Sequence, residues 1–521
     1  MLAWAVVLIG AWLIVDPRTP DLAAQVYRAN LFSQFGFVVW DLHWYGGHAM
    51  PAYSLLSPPA GALLGVRGLG ALSVLVSTAV FERLTYSLYG EAARWGAALF
   101  VVSAVGDVWS GRVTFALGVA LALGAVLALR HGRLGWAALL AALCAAGSPA
   151  AGALLGMAAL TVALSERSVR ALLAVALPAA LVVGVLAGLF PEGGYEPFPL
   201  MSFAVTALVS VAFLCALPAD SRMLRIGAVV YLLACVGCLA IHTPVGSNIE
   251  RYGVLLAGPA LLCARAAWWT PSVLMRVRRP LGVLVGAALC LSTVWVVWGP
   301  VRETVAVAGS EATSAAYYVP VERFLARNAR GPVRVEVPLT RSHWEAALLA
   351  PWVSLARGWE KQLDTRYDGV LLGGALTAAT YRSWLEDQAV SYVALPDVAL
   401  DPSGPREGPL IEAGLPYLRE VFHSRHWRVY EVLGATPLTS GRGRLLALGH
   451  DSFELRANSP GSFLVRVHYT RYWTVTRGSG CVAEARGGWT EVRLRGAGTA
   501  TVAARFSLDR ALGLGGACSG S

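Results

Sequence analysis

Residues 16–59 read DPRTPDLAAQVYRANLFSQFGFVVWDLHWYGGHAMPAYSLLSPP. The stretch follows directly on an apolar run and carries three acids, two histidines and two tryptophans among several glycines and prolines. It is too polar to cross a bilayer and too aromatic for a plain connecting loop. Within it, PDLAAQVYRANLFSQF reads as an amphipathic helix started by Thr19 and Pro20, because proline at the first helical position sacrifices no hydrogen bond. An amphipathic helix directly after an apolar one is expected to lie at a membrane interface.

Composition extends that reading to the whole chain. Its 521 residues are 56% hydrophobic and 14% charged, with a mean hydropathy of +0.57, whereas soluble domains carry about a quarter charged residues. Apolar runs lie near 2–15, 68–83, 95–109, 113–129, 134–146, 149–164, 171–189, 201–218, 225–241, 253–268 and 281–299. A crossing helix needs about 20 apolar residues, sometimes ~17, so about eleven transmembrane helices are expected. The 134–164 pair, broken at AAGSPAAG, is a helical hairpin. Residues 52–83 read either as one crossing preceded by a surface helix or as a tight hairpin. The first run lacks a basic leader and a small-residue cleavage site, so it reads as an anchor rather than a signal peptide.

The net charge of +10 would suit a nucleic-acid partner, but its distribution argues for membrane topology instead. One set of alternate connections holds Arg83, Arg94, Arg130, Arg133, Arg167, Arg170, Arg222, Arg225, Arg265, Arg276, Arg278 and Arg279 against only Glu82, Glu91, Glu166 and Asp220. The other set is balanced or acidic, with Asp16, Asp21, Asp41, Asp107, Glu192, Glu196 and Glu250. The positive-inside bias makes the first set cytoplasmic. The first loop, 16–59, and everything after residue 300 then face outward.

After residue 300 the pattern changes. Strand-like PVRVEVPLT, SYVALPD and HWRVYEVLG alternate with amphipathic TAATYRSWLEDQ and GPLIEAGLPYLREVF, which predicts an α/β domain over 301–435. FELRAN, FLVRVHYT, TEVRLRG and TVAARFSL alternate with period two, which predicts a β-sandwich-like module over 436–521 with a flexible tail. Six cysteines fall in apolar runs, where a thiol acts as a small filler, and Cys235-x-x-Cys238 is read the same way. Cys481 and Cys518 lie outside the runs, and an oxidising compartment favours a disulfide between them.

No zincin, Walker A or dinucleotide fingerprint is present in a fitting context. Polar residues instead gather at one face of the membrane: Asp16, Asp21, His43 and His48 in the first loop, Asp107 and Arg112 in GDVWSGR, Glu192 and Glu196 in FPEGGYEPF, and His242, Asn248 and Arg251 in IHTPVGSNIERY. Ionisable groups at helix mouths mark function or ordinary interfacial loops. Asp21 is a first-turn acid that a helix dipole stabilises, or else a catalytic carboxylate. Asp16 reads as the terminus of the first helix or as the alternative base. Arg112 and Arg251 either satisfy nearby acids or hold a phosphate. His43 and His48 have no third ligand, so they read as structural or substrate-contacting rather than metal-binding. In the C-terminal region Trp344, Glu345, Trp359 and Glu360 are either a sugar-contacting set or core and surface.

DLAAQ, WYGGHAMPAYSLLSPP, GRVTFALG and PVGSNIERY, together with the overall layout, resemble the GT-C superfamily of membrane glycosyltransferases and, more narrowly, a group of large bacterial membrane proteins of GT-C-like architecture. The resemblance implies a multi-pass protein of the bacterial cytoplasmic membrane with its C-terminal region extracytoplasmic. It implies transfer of a sugar from a polyprenyl-phosphate donor to an envelope glycan or lipid, by an inverting route. Asp21 or Asp16 would be the base, and Arg112 and Arg251 would stand at the phosphate. The first loop has no D-x-D, so no divalent metal and no other cofactor are expected. Two other readings stand beside it: a transporter or flippase of a lipid-linked precursor, and a non-catalytic assembly scaffold. A transporter calls for polar groups at mid-bilayer depth, whereas here they gather at the helix mouths.

Overall fold

The computed structural model describes residues 1–266, 279–514 and 518. Arg276 and Arg278 of the basic set, the end of the run at 253–268 and most of the tail GLGGACSGS lie outside the described residues. Every apolar run forms a helix: α1 (Leu2–Val15), α3 (Val66–Tyr89), α4 (Ala93–Trp109), α5 (Val113–Arg130), α6 (Leu134–Gly147), α7 (Pro149–Glu166), α8 (Leu172–Leu189), α9 (Leu200–Ala216), α10 (Arg222–Ala240), α11 (Glu250–Ala266) and α12 (Arg279–Val307), with α2 (Pro20–Phe35) following α1. Six helical stretches among the described residues are long and apolar enough to cross a membrane, the α3–α4 run counting as one, or seven if α1 and α2, bent by 85°, form one span. The chain is therefore a multi-pass membrane protein, but eleven helices do not become eleven crossings by length alone. Helices α6 and α9 are apolar but shorter.

Residues 52–83 resolve into a short helix, Ser57–Leu64, a break at Gly65 with φ +73°, and then α3. The AAGSPAAG break is a capped helix start. Ser148 Oγ accepts from the Ala151 amide at 3.3 Å, and Pro149 occupies the first helical position. Small residues let these helices approach closely. A Cβ on Gly118 would lie 2.5 Å from that of Ala151, and one on Gly96 would lie 2.5 Å from the Pro259 carbonyl oxygen.

The chain divides into two compact units. The first comprises Met1–Ser33, Tyr53–Gly188 and Gly194–Ala306 and holds the membrane helices. Helix α2 differs from the surface helix expected of it. Leu22, Ala23, Ala24, Gln25, Tyr27, Arg28, Ala29 and Leu31 are all buried, so polar residues lie on its inner side. Gln25 donates to Tyr53 Oη at 2.8 Å, and Arg28 stacks over the Tyr53 ring at 3.8 Å. Those contacts explain why the helix lacks a clean apolar stripe: its buried side is a polar network.

The second unit comprises Gln34–Ala52, Leu189–Gly193 and Val307–Ser521. The second half of the opening stretch therefore belongs to it. There β1 (Trp40–Asp41) pairs with β2 (His48–Ala49), and Trp44 and Tyr45 are fully buried. Trp44 Nε1 donates to the Ala346 carbonyl at 3.0 Å, and a Cβ on Gly358 would lie 2.5 Å from the Trp44 ring. The unit's five-stranded sheet is built from β3 (Arg334–Glu336), β4 (Ser354–Leu355), β5 (Val390–Pro396), β6 (Leu418–His423) and β7 (Trp427–Val432), in the order β4-β3-β5-β7-β6. Its first three strands are parallel and the β5-β7 and β7-β6 pairs antiparallel. Two antiparallel sheets follow. One runs β11-β14-β9-β8, from Trp473–Arg477, Gly498–Ala504, Ser452–Ala457 and Gly443–Leu448, and the other runs β10-β13-β12, from Gly461–His468, Trp489–Leu494 and Gly480–Glu484. In β9 Phe453, Leu455 and Ala457 are buried and the residues between them are not, the period of a strand with one core face. Cys481 of β12 is disulfide-bonded to Cys518.

Candidate active site

Three local features of the first unit bring charged side chains together. Thr19, just before α2, donates through Oγ1 to the Trp109 carbonyl at 3.0 Å, which ties the start of α2 to the end of α4. Gly111, in the turn between α4 and α5, has φ +84°, and a Cβ there would lie 2.3 Å from the Leu22 amide nitrogen. Only glycine permits both that conformation and that approach. Trp109 Nε1 donates to Thr304 Oγ1 at 2.8 Å, which fixes the last turns of α12 beside the same corner.

The result is a bridged cluster. Arg112 Nε lies 3.4 Å from Asp21 Oδ2, and its Nη2 lies 3.4 Å from Glu303 Oε1. Arg251, in the first turn of α11, reaches Asp21 Oδ2 at 3.9 Å and stands over the Phe115 ring at 5.4 Å. Beside them is a cavity of about 270 Å³. Its charged lining is Asp107, Arg112, Glu250, Arg251, Arg302 and Glu303, and Trp295, Trp298 and Leu255 supply apolar wall. The three guanidiniums and three carboxylates of that wall come from the α4 end, the 110–112 turn, the α11 start and the α12 end. Such an arrangement can hold an anionic group and accept a proton within one enclosure.

Of the residues singled out in the sequence, Asp21, Asp107, Arg112 and Arg251 are brought together. Asp16 is not in this cluster. It pairs with Arg67 and, at 3.5 Å, with Arg18. Glu196, His242 and Asn248 join two loops of the first unit. Ser247 donates to Glu196 Oε1 at 2.9 Å, the Glu196 amide donates to the Thr243 carbonyl at 3.0 Å, and His242 stacks on Tyr195 at 4.1 Å. The Asn248 amide closes the turn onto Val245.

The remaining candidates lie in the second unit, and most are enclosed in it. His43 stacks on His450 at 3.8 Å, and His48 on Trp44 at 5.3 Å. Asp41, fully buried, accepts from His450 Nδ1 at 3.0 Å. Burial works to raise the Asp41 carboxyl, but the hydrogen bond from His450 and the surrounding imidazoles outweigh it and hold it at about 2. Burial lowers His43 to about 4. Glu192 accepts from the Ala49 amide. Trp344 and Glu345 are buried, and Glu345 accepts from the Thr340 amide at 2.9 Å, so neither presents a face to a sugar. Trp359 stacks on His343 at 3.4 Å, and the Glu360 amide donates to Tyr45 Oη at 3.0 Å.

Sequence reasoning missed Arg302 and Glu303. They follow Pro300, where the last apolar run was taken to end, yet α12 continues through Pro300 to Val307. The continuing apolar positions Val301 and Val305 were the available signal.

No family model matches the chain, and no curated protein does. Among solved structures it is similar to the arabinofuranosyltransferase AftD from Mycobacteria, determined by single-particle cryo-EM, with a TM-score of 0.46 and 14% identity over 98% of this chain and 57% of that one. A point mutant of the same protein gives a TM-score of 0.47 at 14% identity in one class, covering 98% and 60% of the two chains, and 0.45 at 16% in another, covering 97% and 42%. The chain spans less than two thirds of the length of the protein it matches.

Proposed function

We propose that this protein is a membrane glycosyltransferase of GT-C-like architecture that moves a sugar from a polyprenyl-phosphate donor to a cell-envelope glycan or lipid. The observation that carries the reading is the cavity wall in which Arg112, Arg251 and Arg302 stand with Asp107, Glu250 and Glu303 beside Trp295 and Trp298. As the sugar–phosphate bond breaks, negative charge collects on the departing phosphate, and fixed guanidiniums lower that barrier. A carboxylate removes the proton of the attacking hydroxyl, worth roughly 10²–10⁴ in rate. Asp21 is the carboxylate the sequence favours for that step, with Asp16 as its alternative, and attack from the face opposite the phosphate makes the transfer inverting. Arg302 lines the same cavity and makes no ion pair within 4 Å among the described residues.

In this proposal the eleven helices all belong to the membrane domain, and the region after residue 300 is extracytoplasmic, on the face where a lipid-borne sugar arrives. The protein lies in the bacterial cytoplasmic membrane and works without a divalent metal. The test is transfer of labelled sugar from a panel of polyprenyl-phosphate pentoses and hexoses by the purified full-length chain. Arg251→Gln is expected to raise the donor KM and lower turnover. An unchanged profile in that variant, against an active wild type, would remove the phosphate role.

A further inference from the structure

Four carboxylates surround the corner where Arg112 lies, and they stand at different helix ends. Asp21 is in the first turn of α2 and Glu250 in the first turn of α11. Both acids therefore sit at the positive end of a helix dipole. Asp21 is held further, since its Oδ2 faces both Arg112 Nε at 3.4 Å and Arg251 Nη2 at 3.9 Å. Asp21 is also absent from the lining of the cavity. Glu303 lines it, but its Oε1 is engaged by Arg112 Nη2 at 3.4 Å.

Asp107 differs in its placement. It lies in the last turn of α4, at the negative end of that helix. It lines the cavity directly. Its carboxylate makes no ion pair within 4 Å among the described residues. Its own carbonyl accepts the Arg112 amide at 3.1 Å, so the residue is fixed at the turn that carries the bridging arginine.

We infer that Asp107 takes the acceptor's proton, and that Asp21 instead anchors Arg112 and Arg251. This rests on the transfer reading above and assigns its base. In the step, the acceptor O–H proton goes to an Asp107 carboxylate oxygen, and the hydroxyl oxygen's electron pair forms the bond to the anomeric carbon. The bond from that carbon to the phosphate oxygen breaks, and its electron pair leaves on the phosphate beside the arginines. Asp107 is thus a catalytic residue and Asp21 a positioning residue.

The test compares Asp107→Asn, Asp107→Glu and Asp21→Asn in the full-length protein, reading kcat, donor KM and the pH profile of kcat. Asp107→Asn is expected to lower kcat by roughly 10²–10⁴ with donor KM little changed. Asp107→Glu is expected to restore turnover in part and to move the acid limb of the profile, which a merely structural role would not do. Asp21→Asn is expected to raise donor KM more than it lowers kcat, because two phosphate-facing arginines lose their anchor. Near-wild-type kcat in Asp107→Asn overturns the assignment, and so does an Asp107→Asn variant that loses donor binding together with turnover while Asp107→Glu leaves the pH profile unmoved. A wild type inactive on every donor overturns the transfer reading itself, and the assignment falls with it.

Discussion

Replacing Arg357 with methionine should cost the second unit a large part of its stability. Arg357 is almost fully buried, and its Nη1 lies 2.9 Å from Glu407 Oε2 and 3.4 Å from Glu336 Oε1. Asp364 and Asp368, both fully buried, complete a group of four carboxyls around one guanidinium. Tyr381 donates to Glu407 at 3.0 Å, Trp384 to Asp368 at 3.2 Å and Tyr45 to Asp364 at 2.9 Å. Burial pushes Glu336 and Asp368 well above the usual carboxylate range. Methionine fills the arginine's volume but leaves Glu407 and Glu336 without their buried partner. Removing one partner of a buried pair costs about 3–5 kcal/mol, and each kcal/mol lowers Tm by about 2–4 °C in a domain of 150–250 residues. The expected fall is roughly 6–20 °C on those two scales, read by tryptophan fluorescence on heating the detergent-solubilised protein. The loss has a pH signature. Carboxyls whose folded pKa is raised contribute stability below their unfolded pKa and lose it as pH rises through the folded value. The deficit of Arg357→Met should therefore grow as pH rises and shrink on acidification. A variant with wild-type Tm, or a deficit that grows with acid, would refute the account of this cluster.

Acid should destabilise the wild-type second unit through its histidines. Burial lowers His43 to about 4 and, with Arg334 nearby, His468 to about 3, so both stay neutral when folded and take up protons on unfolding as pH falls below the ordinary imidazole value of about 6.5. His468→Asn should flatten the Tm–pH curve in that range. Gly111→Ala should reduce transfer while the protein still folds, because a Cβ 2.3 Å from the Leu22 amide displaces the start of α2 at a cost of about 1–3 kcal/mol, and full activity in that variant would mean the α2 corner does not set the site. Cys518→Ser opens a bond between residues 37 apart and should lower stability by roughly 3–4 kcal/mol, a loss that reductant should reproduce in the wild type.

What the sequence made legible follows from how local each signal is. Apolar runs reveal helices because burial in lipid or core is written into consecutive residues, and the strand periodicity of FELRAN and TVAARFSL is equally local. Asp21, Arg112 and Arg251 were found because charges at helix mouths are conspicuous against apolar neighbours. The division of the opening stretch was not legible. Trp40, Trp44, Tyr45 and the Gly46-Gly47 pair look like a membrane-facing loop until Ala346 and Gly358, some three hundred residues away, are seen to pack against Trp44. The same limit hid Arg302 and Glu303, because a proline inside a helix reads as its end although the helix continues. Trp344 and Glu345 show the converse, since residue types suited to a sugar site also suit a buried hydrogen-bonded core.

The central claim is that the cavity walled by Arg112, Arg251 and Arg302 receives the phosphate of a lipid-linked sugar. Cryo-EM of the full-length protein with a polyprenyl-phosphonate sugar analogue, in which the scissile oxygen is replaced, tests it most directly. The account predicts phosphonate density within hydrogen-bond reach of Arg251 and Arg302, with the sugar carbon facing Asp107. Density for the analogue at a different surface, with this cavity left unchanged, would contradict it.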